Sequence, residues 1–143
     1  MKRIIFLSTV LGLLTILLFG SSAYAKDAII DACNAEFGNS KGCDCASTRT
    51  AVFLGAERYK QYAAFFAIFA ARVSDNATSA DEILGPWDSS QGAYAKQIGA
   101  DPFAVSRQIR DGEAVHRYAL RACGLEPDED AKARSLFFWG ERL

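Results

Sequence analysis

Four cysteines, Cys33, Cys43, Cys45 and Cys123, constrain this chain more than any other feature, because the residues before them mark it for export. Lys2 and Arg3 form a positive start, Ile4 to Phe19 is an apolar run, and Ala23-Tyr24-Ala25 places small residues at the two positions a signal peptidase inspects. A secretory signal over residues 1–25, cleaved after Ala25, is therefore expected, with residues 26–143 as a single helical domain. There is no twin-arginine pair, so export is expected through the general secretory route. Cys33 stands too far from the apolar run for lipoprotein processing. An even number of cysteines in an exported chain then reads as two disulfides.

Pairing Cys43 with Cys45 is disfavoured, since cysteines two residues apart rarely reach disulfide geometry without strain. Two patterns remain: Cys33 pairs with one member of the Cys-x-Cys, and the other member reaches Cys123. On a loop-closure argument the local bridge contributes about 3 kcal/mol and the long one about 4.5 kcal/mol. A redox dithiol or a soft-metal site are the functional readings of Cys-x-Cys. His116 is the single imidazole and no Cys-x-x-Cys accompanies it, so structural bridges are expected and no metal or cofactor is assigned.

The longest apolar stretch, Ala56 to Val73, reads as a central helix: Tyr59, Tyr62, Phe66, Phe69 and Val73 recur at steps of three and four. Its uninterrupted apolar middle, Tyr62 to Ala71, is about ten residues, roughly half of what a bilayer span needs. Around it the chain reads as helices from Asp27 to Phe37, from a cap at Asp44 to Leu54, and from Ser89 or Ser90 to Ile98. The second of these puts Cys43 just outside the helix and Cys45 at its first position.

Ser79 and Glu82 form a capping-box pattern for a short turn ending at Leu84, which Gly85-Pro86-Trp87-Asp88 then breaks. Asp101-Pro102 starts a long helix that Gly112 either weakens or divides, with Phe103, Ile109, Val115, Leu120 and Cys123 as its apolar contacts. Glu126-Pro127-Asp128 opens a last helix to about Trp139. The fold class expected is all-α, a small orthogonal or irregular bundle of about five or six helices stapled by two disulfides.

After removal of 25 of the 143 residues, 14 basic side chains face 17 acidic ones, a balance of −3 that argues against nucleic acid or an anionic membrane as the main partner. No glycine-rich phosphate loop, G-x-S-x-G or H-E-x-x-H occurs, and His116 has no nucleophile patterned around it. Asp81-Glu82 and Asp128-Glu129-Asp130 fall where helix first turns are expected. No catalytic residue is assigned.

Candidate partner-binding residues are the stripe Arg107, Arg110, Arg117 and Arg121, together with Trp87 in the Gly-Pro loop and Phe138 and Trp139 in the tail. On a helix, Leu136-Phe137-Phe138-Trp139 would face every direction, so one docking surface could not bury them all. The expected function is a periplasmic or secreted, non-catalytic protein-binding domain: an inhibitor, an immunity-type protector or an accessory subunit of an envelope system. A periplasmic stress chaperone and a small thiol-redox factor or enzyme are the alternatives.

Overall fold

The computed structural model describes residues 21–142, and among these the chain is helical with no strand. The basic start and apolar run of the expected signal lie outside the described residues, and Ala25 falls in the backbone of the first helix. The helices are α1 (Ser21–Phe37), α2 (Ser40–Leu54), α3 (Ala56–Ala70), α4 (Ala80–Ile98), α5 (Pro102–Ala122) and a single turn α6 (Glu129–Lys132), followed by a 3-10 turn at Trp139–Arg142. No described helix is long and apolar enough to cross a membrane.

The aromatic stripe of α3 is the centre of the core. Phe65, Phe66 and Phe69 are fully buried, and α3 packs against α1, α2, α4 and α5, while α2 and α5 also pack against each other. The helix ends at Ala70 rather than Val73, which still packs half-buried against the core. Tyr59 and Tyr62 bring polar tips into this interior, and each finds a partner: Tyr59 shares a hydrogen bond with Ser47 at 2.6 Å, Tyr62 with Nδ1 of His116 at 3.1 Å.

The cysteine pattern resolves to Cys33–Cys43 and Cys45–Cys123. The expected cap at Asp44 gives way to Asn39, whose side chain accepts from the Gly42 N–H, so α2 starts at Ser40 and holds both cysteines. Two helical residues apart is about 200° around the axis. Cys43 therefore reaches α1 while Cys45 reaches the end of α5, and the separate partners follow from helix geometry rather than from a helix boundary between them.

The break expected at Gly85-Pro86 does not occur, and of the two readings left open at Gly112 the structure has the single helix. The capping box at Ser79 and Glu82 is present, but α4 continues through Gly85 and Pro86 to Ile98. A proline in a helix interior costs about 3 kcal/mol. Ile83, Trp87 and Tyr94, at helical spacing beyond and before it, are buried together, each contributing roughly 1.5–3 kcal/mol. Burial wins. Gly112 does not divide α5 either, because it sits where the helix crosses Tyr62 and has no side chain to hold the helices apart: a Cβ there would lie 2.8 Å from the Tyr62 ring.

The tail departs most from expectation. Instead of a helix to Trp139, α6 is one turn, and the chain then folds back in turns. Ser135 organises it: its hydroxyl donates to the Glu36 carboxylate and accepts from the N–H groups of Phe137 and Phe138, each at 3.1 Å, while the Leu136 N–H donates to Glu36 at 3.1 Å. Freed from helical spacing, each ring takes its own slot. Phe137 stacks on Phe66 at 5.2 Å, Phe138 meets Phe37 edge-on at 6.5 Å, and Trp139 meets Trp87 at 5.5 Å.

Candidate functional site

Three of the residues expected at a partner surface belong to the core. Trp87 and Trp139 are each 4% exposed and Phe138 is fully buried. The Trp87 ring stands edge-on to Phe65 at 4.8 Å and Phe69 at 5.0 Å, which the continuous α4 makes possible and a Gly-Pro loop would not. The expectation of an exposed position is corrected for these three aromatics, which are buried in the fold. His116 is equally interior, 1% exposed, with Phe137 edge-on at 5.1 Å, and burial lowers its pKa from 6.5 to about 3, so it is a neutral core group.

The arginine stripe, by contrast, survives on one unbroken helix and divides into two halves. In the C-terminal half, Arg117 pairs with Glu113 at 3.2 Å and Glu141 at 3.5 Å, and Arg121 pairs with Glu126 at 3.1 Å and Glu141 at 2.6 Å. Arg121 also lies over the Phe138 ring at 5.2 Å, and Lys132 joins the same carboxylates. This half ties the tail to α5. Burial raises the Glu113 pKa, opposed by Arg117 and Arg110, which is the electrostatic sign of a carboxyl held in the wall of the fold by its cations.

The N-terminal half is uncommitted. Arg110 donates to the Ser106 hydroxyl at 3.0 Å, and neither it nor Arg107 has a carboxylate within ion-pair distance among the described residues. Phe103 precedes them at positions i, i+4 and i+7 and therefore shares their face. It was expected among the core contacts of α5, yet it is 83% exposed, because the buried side of the helix runs through Val105, Ile109, Gly112 and His116. The spacing from Phe103 to the arginines was the available signal. Phe53 and Tyr118, exposed and edge-to-face at 6.0 Å across α2 and α5, form a second aromatic spot that sequence reading missed.

Arg110 and Arg117 also line a cleft of about 380 Å³ between α4, α5 and the 3-10 turn, with Trp87 and Trp139 in its walls. Four of the seven expected partner residues are thus brought together, two as cations and two as apolar wall. Arg107 does not line this cleft; it borders a separate shallow groove with Arg58 and Asp111, themselves paired at 3.4 Å. Among the described residues no three histidine, cysteine or carboxylate side chains converge as a metal site requires. What the surface offers is a forked, permanently charged donor set beside an exposed ring, which suits recognition of acceptor groups.

The class this defines is an all-α domain closed by two disulfides around an aromatic core. No family model matches the chain, and no curated protein or solved structure is similar to it.

Proposed function

We propose that the chain is a non-catalytic protein-binding domain of the cell envelope or the extracellular space, serving as an inhibitor, an immunity-type protector or an accessory subunit. Its partner docks on the N-terminal half of α5 and presents an acidic surface there. The observation that carries this reading is the shared face of Phe103, Arg107 and Arg110: an 83% exposed ring beside two guanidiniums with no carboxylate within ion-pair distance among the described residues. Elsewhere on the same helix the protein neutralises its arginines, so the bare pair is a local feature. Aromatic side chains and arginine are the types that concentrate binding energy at interfaces. Two bridges fit an oxidising compartment. Both Cys-x-Cys sulfurs are bonded, and Cys33 and Cys43 are fully buried, which favours a structural role for them over a redox one.

The test is affinity capture from envelope and secreted fractions with the wild-type chain, the double variant Phe103→Ala with Arg107→Ala, and Arg49→Ala on the exposed side of α2 as control. Retention of a partner by wild type and control, lost in the double variant, is the expected outcome. Equal retention by all three sinks the docking face.

A further inference from the structure

Building on the reading that a protein partner docks beside α5, we infer that the cleft between α4, α5 and the 3-10 turn receives a carboxylate of that partner, borne by an acidic side chain or by a free C-terminus. At about 380 Å³ it lies near the small end of the roughly 300–1,000 Å³ typical of ligand pockets, which suits a side chain or a chain end rather than a folded segment. Arg110 supplies the charge. Its one hydrogen-bond partner among the described residues is Ser106, a neutral hydroxyl in the same wall, and Glu113, which also lines the cleft, acts on it only through space, so most of the five N–H donors of a guanidinium remain uncommitted. Arg117 is the second cation of the wall, but Glu113 and Glu141 already neutralise it, and it acts as a fixed ion pair.

The opposite wall narrows the ligand further. The side chains of Asp88 and Gln91 on α4 line the cleft and make neither a hydrogen bond nor an ion pair among the described residues. Asp88 repels a bare anion and accepts from a donor. A peptide carboxylate brings both: the carboxylate for Arg110 and neighbouring amide N–H groups for Asp88 or the Gln91 carbonyl. Trp87 and Trp139 supply the apolar surface that lowers the local dielectric and strengthens a charge-assisted pair relative to one in open water.

The chain has two tryptophans and both line the cleft, so intrinsic fluorescence reports its occupation. Three N-acetylated pentapeptides of glycine and serine serve as probes on the whole protein. One has a central glutamate and an amidated C-terminus, one has neutral side chains and a free C-terminus, and one has a central glutamine and an amidated C-terminus. A saturable change is expected with at least one of the first two and none with the third; which of the two binds tells an acidic side chain from a chain end. Arg110→Gln weakens that binding about tenfold or more, since a charge-assisted pair is lost, and Arg49→Gln, on the exposed side of α2 and outside the cleft lining, leaves it unchanged.

Equal binding of the neutral peptide, no response to any peptide at millimolar concentration, or no effect of Arg110→Gln in a variant that melts like wild type overturns the site. Loss of partner capture in the Phe103 and Arg107 variant without any peptide binding keeps the docking face and removes this cleft. Peptide binding with capture indifferent to that variant does the reverse.

Discussion

At the scale of single residues, the burial of His116 and the partial burial of Glu36 have opposite consequences for acid stability. His116 has its folded pKa lowered from 6.5 to about 3, so the folded protein binds fewer protons than the unfolded chain in between. Its contribution is complete above pH 6.5 and is withdrawn as the pH falls toward 3, on the order of 5 kcal/mol in all. Glu36 runs the other way. Its pKa is raised by burial, against the lowering effect of its bonds from Ser135 and Leu136, so its contribution is present at low pH and is lost as the pH rises through the folded value. Urea unfolding at pH 7 and pH 4 therefore separates them: His116→Gln should flatten the acid loss of stability, and a wild-type slope in that variant would place the acid sensitivity elsewhere. Glu36→Ala, which leaves the Leu136 N–H without its acceptor, should destabilise by about 1–3 kcal/mol and expose the tail to protease before the rest of the chain.

At the scale of elements, two helices run through residues that ordinarily interrupt them, and each makes a prediction. Gly112→Ala should destabilise by about 1–3 kcal/mol, because the new methyl lies 2.8 Å from the Tyr62 ring and α5 cannot back away while Cys45–Cys123 holds its end. Pro86→Ala should stabilise by up to about 3 kcal/mol, as α4 regains a backbone donor and loses the ring clash, and chemical denaturation of both variants gives the sign directly. The same elements show how far a sequence can be read. The period of Tyr59 to Phe69, the capping box at Ser79 and the start at Asp101-Pro102 are local patterns, and the structure has them. That Pro86 would be overridden depends on Trp87 finding Phe65 and Phe69, and that the tail would abandon its helix depends on Glu36, about a hundred residues earlier, accepting from Ser135. Such contacts have no local signature. The arginine stripe was legible as a spacing, but its division into a neutralised and a bare half required the positions of Glu126 and Glu141.

At the scale of the whole molecule, the two bridges tie α2 to α1 and to the end of α5, and their removal should be unequal. Replacing Cys45 and Cys123 by serine opens a 78-residue separation and should cost about 4.5 kcal/mol, against about 3 kcal/mol for the 10-residue separation of Cys33 and Cys43, as read from thermal unfolding. Most of the aromatics lie inside, and the docking face proposed above is the outer side of α5 around the exposed Phe103. The direct test is the dissociation constant of the captured partner for wild type and for Phe103→Ala, at low and at high salt. The ring is 83% exposed and contributes little to stability, so the variant should fold as wild type yet bind about tenfold or more weakly, and both affinities should fall with salt as Arg107 and Arg110 are screened. An unchanged, salt-independent dissociation constant for the folded Phe103→Ala protein would contradict the account.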